Sequence, residues 1–136
     1  MPAEGLMNEP TNPGPVTAFL AACNAHDWAG AVALYTPDAS HTEAATGKSR
    51  AGTEALKAGL AGFGAMMPDA CWNEVERILS GPHVLLRYEL SGTFGTPGRA
   101  LRLPGVFMFT LTATGRIAAT TDFWDKDAFL AQIRQD

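Results

Sequence analysis

Hydrophobic positions change their spacing about halfway along the chain. In the first half, apolar residues recur every three or four positions, as in Val16, Phe19, Leu20 and Cys23, which predicts amphipathic helices. In the second half apolar and polar residues alternate, which predicts β-strands. The predicted elements are helices from Val16, from Trp28 and from Thr53; strands Ala39–Ala44, Cys71–Leu79, Val84–Thr93, Ala100–Thr112 and Arg116–Trp124; and a last helix over Lys126–Gln135. Asp27 and Thr53 are the predicted N-caps of the second and third helices.

Helices that precede a run of long antiparallel strands, followed by one short helix, indicate an α+β fold. We expect a single domain over residues 15–136, preceded by a loose tail over residues 1–14, because the first fifteen residues carry four prolines and no Lys or Arg. A strongly curved, mainly antiparallel sheet wrapped over the N-terminal helices would leave a hollow between the two layers. Such hollows bind small molecules.

Composition narrows the possible partners. The 136 residues are 46% hydrophobic and 18% charged, with a net charge of −4, which suits one globular domain and argues against a nucleic-acid partner. No apolar run reaches the roughly 20 residues that a membrane helix needs, so no membrane partner is expected. Cys23 and Cys71 lie far apart outside any metal or disulfide pattern. This predicts a reducing, cytoplasmic location.

Asp122 is the most informative polar position. It lies inside the last predicted strand, where Asp is disfavoured, whereas Asp125 follows the strand and is placed to cap the final helix. A carboxyl poorly exposed to water has the raised pKa that acid-base catalysis uses. We therefore predict that Asp122 is a catalytic residue.

Arg87 and Glu89 share one face of the strand around Tyr88, opposite Val84, Leu86 and Leu90. Two interpretations stay open. In one, both charged side chains face solvent, as is usual for an antiparallel sheet. In the other, which we adopt for the candidate site, both face the hollow, and the Arg87 guanidinium holds a neighbouring carboxylate through paired hydrogen bonds.

His41 and Glu43 are two residues apart and so share a strand face. A metal ion would need at least one more ligand, and His26 and His83 are poorly placed to supply it, so no metal is predicted. His41 is instead a candidate hydrogen-bonding residue and Glu43 a candidate substrate contact. Large apolar side chains complete the expected pocket wall: Trp72, Phe107, Met108 and Trp124.

Several segments resemble the SnoaL-like polyketide cyclase family. They are Ala25-His26-Asp27-Trp28, the stretch from Leu34 to Ala39, Gly52 to Leu56, Met67-Pro68-Asp69, and the ending from Gly115 to Gln132. The resemblance covers about residues 15–135. It implies the fold of the nuclear-transport-factor-type superfamily: a cone-shaped α+β barrel with a pocket between sheet and helices, commonly a homodimer.

Within that superfamily the chain is similar to limonene-1,2-epoxide hydrolases. These carry Arg-x-Asp on one strand and Asp-Tyr-Phe-Asp near the end, read here as Arg87-Tyr88-Glu89 and Asp122-Phe123-Trp124-Asp125. The catalytic aspartate then maps to Asp122, and the water-positioning Tyr and Asn to His41 and Glu43. The cyclases share the Asp122 position but carry a histidine on the preceding strand, which reads Val106-Phe107-Met108 here.

These observations predict a cofactor-free enzyme that acts on a small, mostly apolar molecule. Asp122 would be the general base, Arg87 would hold Asp122 and Glu89, and Glu89 or His41 would donate a proton. Epoxide opening, ring closure and isomerisation all stay open. One alternative is a non-catalytic ligand-binding or dimerisation domain of the same fold. Another is an interaction subunit whose sheet exposes Val84, Leu86, Tyr88 and Leu90.

Overall fold

The computed structural model describes residues 13–134, which form four helices and six strands. The helices are α1 (Pro13–Asn24), α2 (Trp28–Val32), α3 (Thr53–Met66) and α4 (Lys126–Ile133). The strands are β1 (Tyr35–Glu43), β2 (Lys48–Ala51), β3 (Cys71–Ser80), β4 (His83–Phe94), β5 (Arg99–Leu111) and β6 (Ile117–Trp124).

All six strands join one curved sheet in the order β2-β1-β6-β5-β4-β3. Neighbouring strands are antiparallel except β1 and β6, which run parallel. The predicted α+β fold, with a mainly antiparallel sheet, N-terminal helices and a short C-terminal helix, is therefore confirmed. The parallel pair matters for the site because it joins two segments that lie about 80 residues apart in the sequence.

The hydrophobic core lies between α1 and the concave face of the sheet, called the inner face below. Alternation along β4 turns Val84, Leu86, Tyr88 and Leu90 to this face, where all four are buried. They therefore cannot form the exposed patch that the interaction-subunit alternative needs. Phe19 of α1 packs its ring edge-on against the aromatic rings of Tyr35, Phe107 and Phe109. Such edge-to-face contacts suit aromatic rings.

Capping aspartates mark the N-terminal ends of α2 and α4. The Asp27 carboxylate accepts a hydrogen bond from the Gly30 backbone N–H, and the Asp125 carboxylate accepts two at the start of α4, which confirms both predicted caps. Gly52, and not Thr53, is the N-cap of α3, with no side-chain hydrogen bond.

None of the helices within residues 13–134 is long and apolar enough to cross a membrane.

The N-terminal boundary differs slightly from the prediction. Helix α1 begins at Pro13 rather than after Pro15, so residues 13 and 14, expected in the tail, are helical. Proline suits the first turn of a helix because its ring fixes φ and its missing N–H has no partner there. The rest of the predicted tail, residues 1–12, lies outside the described residues. Strand β1 also begins earlier than predicted, at Tyr35.

Candidate active site

A cavity of about 440 Å³ opens between the inner face of the sheet and α3. Most of its wall is apolar, which suits a largely apolar ligand. The polar groups come chiefly from β1, β2 and β6. The apolar wall includes Phe63, Trp72, Leu90, Leu103, Phe107 and Trp124.

Asp122 of β6 lies in the wall of this cavity. The Tyr88 hydroxyl of β4 donates a hydrogen bond of 2.7 Å to its Oδ1 atom. Strand β5 runs between the two residues, and Gly105 is the β5 residue that pairs with Tyr88. A Cβ atom at Gly105 would overlap the Tyr88 ring and hydroxyl. The absent side chain at Gly105 therefore lets Tyr88 reach across β5 to Asp122.

The pKa of Asp122 is raised to about 7, chiefly by burial and also by the nearby Glu43 carboxylate, while the hydrogen bond from Tyr88 acts to lower it. A carboxyl with a pKa near 7 is ionised in an appreciable fraction of molecules at neutral pH and can also keep an accepted proton. Burial raises the pKa of Tyr88 as well, and the charge of Asp122 adds to this effect. The Tyr88 hydroxyl is therefore a neutral donor.

The parallel register of β1 and β6 brings two further candidates to Asp122. Glu43 pairs with Asp122, and His41 pairs with Thr120, so all four side chains lie on the inner face. Strands lie about 4.8 Å apart and residues two positions apart on one strand about 6.6 Å, which separates His41 and Asp122 by roughly 8 Å between Cα atoms. Both side chains line the same cavity, so one ligand could contact both.

His41 is held by a short chain of hydroxyl groups. Its Nδ1 atom hydrogen-bonds the Thr120 hydroxyl, which also hydrogen-bonds the Tyr35 hydroxyl at 3.1 Å. Thr120 and Tyr35 are almost completely buried. Burial lowers the pKa of His41, and the charge of Arg50 lowers it too, against an opposing effect of Glu43. The imidazole is therefore neutral at physiological pH.

Strand β2 adds two cations to the polar side of the cavity. Lys48 pairs with Glu43 and Arg50 with His41 along the β1–β2 register, and both line the cavity. The Arg50 guanidinium lies 3.8 Å from the Glu43 carboxylate. Its side chain crosses α3 at Gly59, where a Cβ atom would approach the Arg50 Cδ to 2.9 Å. The guanidinium group at this cavity therefore belongs to Arg50.

The predicted contact between Arg87 and Asp122 is wrong. Arg87 and Glu89 lie on the outer face of β4, where Arg87 forms an ion pair of 3.1 Å with Glu76, and Glu89 one of 2.8 Å with Arg102. The Arg87 side chain is 56% exposed. Strand alternation is the reason, because a face that buries Tyr88 turns its two neighbours away. The solvent-facing interpretation is the one observed.

The predicted place of Met108 in the pocket wall is also wrong. Met108 follows Phe107 on β5, and Phe107 is buried in the cavity wall, so Met108 faces the outer side of the sheet between Leu85 and Thr121. The other expected wall residues, Trp72, Phe107 and Trp124, do line the cavity.

Several residues of the site are absent from the sequence prediction, among them Tyr88 and Thr120. Alternation along the strand predicts that Tyr88 lies on the apolar face, opposite Arg87 and Glu89. The hydroxyl group of Tyr88 must then also lie inside the hollow. Thr120 lies two residues before Asp122 and is the single polar residue among the buried side chains of residues 14–134. Period-two alternation from Asp122 could have found it, but its partner Tyr35 depends on the parallel pairing, which alternation does not reveal.

No three His, Cys, Asp or Glu side chains within the described part of the chain are grouped to hold a metal ion. Cys23 and Cys71 are both free thiols. Burial raises the pKa of Cys23 to about 12, so this thiol stays protonated and behaves as an apolar core residue.

The chain resembles several solved structures over most of its length. A candidate polyketide cyclase from Xanthomonas campestris has a TM-score of 0.85 at 23% identity, covering 93% of this chain and 99% of that one. A protein with a ketosteroid isomerase-like fold from Catenulispora acidiphila, solved with trimethylamine, has a TM-score of 0.80 at 21% identity, covering 89% and 92%. At these identities the similarity establishes the fold.

A third structure is SalBIII, described as an epoxide hydrolase/cyclase-like enzyme of pyran ring formation in salinomycin. It has a TM-score of 0.79 at 20% identity and covers 89% of this chain and 95% of that one. No curated protein sequence matches the chain significantly. The sequence profile of the SnoaL-like domain matches residues 16–120, most of the chain. The protein therefore belongs to the SnoaL-like domain family.

Proposed function

We propose that the protein is a cofactor-free acid-base enzyme that removes a proton from carbon in a small, mostly apolar carbonyl compound. The observation that carries the proposal is the Asp122 carboxylate, which lies in the wall of an apolar cavity with a pKa near 7. A general base works best when its pKa lies near the working pH. The coarse activity is that of the cyclase and isomerase class represented in the family.

The proposed reaction starts with Asp122 ionised. A carboxylate oxygen takes the proton from the carbon next to a carbonyl group, the C–H electron pair becomes a C=C bond, and the carbonyl π pair moves to oxygen. If the substrate has a C=C bond conjugated with the resulting enolate, the proton returns to the far carbon of that bond and the double bond shifts, which is isomerisation. Otherwise the enolate carbon attacks a second carbonyl carbon of the substrate, whose π pair moves to oxygen, which closes a ring. In ring closure, protonated Asp122 gives its proton to the new alkoxide, so the base is restored.

Tyr88 and His41 have different parts in this proposal. The Tyr88 hydroxyl orients Asp122 and stabilises its ionised form through the 2.7 Å hydrogen bond. Of the two predicted donors, Glu89 is paired with Arg102 on the outer face, whereas His41 lines the cavity on the strand next to that of Asp122. Arg50 and Lys48 favour a ligand whose polar end carries electron-rich oxygen.

Epoxide opening has less support. The version of that reaction expected from the sequence needs an Arg held between two carboxylates, and Arg87 and Glu89 are paired with other residues on the outer face. On the inner face, the groups nearest Asp122 that can donate a hydrogen bond without carrying a charge are the Tyr88 hydroxyl and the His41 imidazole. Neutral donors suit the stabilisation of an enolate oxygen better than the protonation of a leaving alkoxide.

The test measures hydrogen–deuterium exchange at carbon in D₂O. The probes are aryl-substituted 1,3-diketones, whose size and acidity suit the cavity. Because acid-base groups contribute about 10²- to 10⁴-fold, Asp122→Asn should lose enzyme-catalysed exchange by a similar factor. Glu89→Gln is the matched control, since it makes the same carboxylate-to-amide change on the outer face, and it should exchange at the wild-type rate.

Two results would count against the proposal. If Asp122→Asn exchanges as fast as wild type, then Asp122 is not the base. If wild type binds the diketones, seen as quenching of tryptophan fluorescence, but never accelerates exchange, the protein fits the alternative of a non-catalytic ligand-binding domain. Trp72 and Trp124 line the cavity, so the binding signal is available in every variant.

We also propose that the protein is a homodimer formed through the outer face of the sheet. Phe123 and Val75 are exposed there, beside a shallow depression that Val106 and Pro104 also line. Exposed apolar side chains grouped on a sheet face are typical of contact surfaces. A cytoplasmic location is proposed as well, supported by two cysteines that form no disulfide.

A further inference from the structure

We infer that the Tyr35–Thr120–His41 hydrogen-bond chain fixes His41 as the tautomer with hydrogen on Nε2, which makes it the donor to the carbonyl oxygen of the substrate. This inference rests on the proposed function for the substrate but not for the tautomer. It assigns a role to two buried hydroxyl groups that the proposed proton transfer does not itself use.

The direction of the chain follows from counting hydrogens. Tyr35 is 4% exposed, and its hydroxyl hydrogen has the Thr120 oxygen as its single hydrogen-bond acceptor among residues 13–134. A buried hydroxyl hydrogen without an acceptor is costly, so Tyr35 donates to Thr120. Thr120 then has one hydrogen left, and its second partner is Nδ1 of His41. Nδ1 therefore accepts.

The reverse direction leaves the Tyr35 hydroxyl hydrogen without an acceptor among the residues of the chain. If Nδ1 donated to Thr120 and Thr120 donated to Tyr35, the Tyr35 hydrogen would need a further acceptor. The edge-on ring of Phe19, with ring centroids 5.8 Å apart, offers none, and because Tyr35 also lines the cavity, the acceptor would have to be a ligand or water there rather than another residue of 13–134. With the inferred direction, each hydroxyl hydrogen has an acceptor within the protein.

A neutral imidazole has one N–H, so an accepting Nδ1 places the hydrogen on Nε2. No residue of the described chain hydrogen-bonds Nε2, and the His41 side chain lines the cavity. The Nε2–H group is thus available to a ligand. The charged groups around the ring are Glu43, Arg50, Lys48 and Asp122, of which Glu43 favours the imidazolium and Arg50 opposes it.

The arrangement selects a substrate class. The base Asp122 and the donor Nε2–H lie on adjacent strands, diagonal to each other on one face. A carbon acid with its carbonyl group directly attached presents a C–H bond and an oxygen to two such groups at once. The neutral imidazole stabilises the enolate oxygen by hydrogen bonding without transferring its proton fully, as a neutral histidine does in triosephosphate isomerase.

The tautomer can be read without any substrate. Long-range ¹H–¹⁵N correlation spectra of ¹⁵N-labelled protein distinguish a protonated nitrogen from an accepting one, and His41→Gln assigns its signals against His26 and His83. We expect wild-type His41 to show hydrogen on Nε2 and an accepting Nδ1 at pH 7. Hydrogen on Nδ1 instead would overturn the inference while leaving the proposal for Asp122 intact.

Thr120 variants test the positioning role. Thr120→Val removes the hydroxyl at nearly constant volume, and Thr120→Ser retains it. We expect Thr120→Val to shift the Nδ1 signal towards that of an unbonded imidazole and to lower kcat of diketone exchange about tenfold with little change in KM, the loss expected for one hydrogen bond. Thr120→Ser should restore both.

A Thr120→Val protein with wild-type Nδ1 signals and wild-type kcat would overturn the inference. If Thr120→Val does not fold, the wild-type and Thr120→Ser spectra still decide the tautomer. Asp122→Asn, by contrast, should lose exchange while keeping the His41 signals. Failure of the inference and failure of the proposed function are therefore seen in different measurements.

Discussion

The carboxylates on the two faces of strands β4, β5 and β6 differ in their partners and in their exposure to solvent. On the inner face Asp122 is bonded to Tyr88 and closed off by an apolar wall. On the outer face Glu89 is paired with Arg102, and its side chain is 38% exposed. Both residues are candidate catalytic groups by residue type. The comparison teaches that the strand face, rather than the chemical type, decides which carboxylate meets an apolar ligand.

The largest expected difference between the two faces is in how the free energy of unfolding depends on pH. The pKa of Asp122 is about 7 in the folded protein against an ordinary value of 3.8, so the folded state holds a proton that the unfolded chain has released. Stability should therefore fall as the pH rises from about 4 to about 7, by roughly 4 kcal/mol in total. Asp122→Asn removes this dependence and should gain about that much relative to wild type between pH 4 and pH 8.

Urea unfolding curves at pH 4 and pH 8 measure this difference. Glu89→Gln is the control, since an exposed ion pair contributes at most about 1 kcal/mol and its loss should give nearly the same stability change at both pH values. A wild-type stability that stays constant between pH 4 and pH 8 would show that Asp122 is not withheld from water.

A substitution on the outer face should change dimerisation rather than catalysis. Phe123 is 43% exposed on β6, next to Asp122 in sequence but on the opposite face. Phe123→Glu should weaken dimerisation at least about 100-fold, because a symmetric interface contains each substitution twice and a charge would have to be buried. Sedimentation velocity measures the effect, with Ala113→Glu in the exposed β5–β6 turn as control.

A wild-type protein that sediments as a monomer at high concentration would contradict the dimer proposal. So would a Phe123→Glu variant that remains dimeric. Diketone exchange by the monomeric variant should continue, because the residues of the cavity lie on the other side of the sheet.

The smallest expected effect concerns the hydrogen bond between Tyr88 and Asp122 on the inner face. Tyr88→Phe removes the hydrogen bond that stabilises ionised Asp122, so the pKa of Asp122 should rise by about one unit. The pH at which exchange reaches half its maximum should move upward by the same amount. Gly105→Ala, which displaces the Tyr88 hydroxyl without removing it, should move the profile in the same direction. If the pH profile of exchange is unchanged in both variants, the Tyr88 hydroxyl does not affect the pKa of Asp122.

Sequence reasoning finds the fold because the fold depends on periodic patterns. Apolar alternation in β4 and β5, and the caps Asp27 and Asp125, are local signals, and the structure confirms them. Asp122 is identifiable because an aspartate in a strand next to a helix cap is unusual. These features need no knowledge of long-range pairing.

The site is harder to predict for two physical reasons. The resemblance favours an inward position for Arg87 and Glu89, although the clean alternation around Tyr88 puts them outside. Thr120, Tyr35 and His41 form their network through the parallel pairing of β1 and β6, which no local pattern specifies. Arg50 enters the cavity from an edge strand of four residues, too short for its facing to be read from alternation.

That parallel pairing also has a consequence for how the protein is made. His41 leaves the ribosome early, but its partners on β6 emerge about 80 residues later, after the whole meander of β3, β4 and β5. Closing so large a loop is entropically slow, and contacts between distant segments tend to form late in folding. A nascent or C-terminally truncated chain therefore has most of its hydrophobic framework yet lacks a functioning centre, so incomplete molecules are expected to be inert rather than promiscuously reactive.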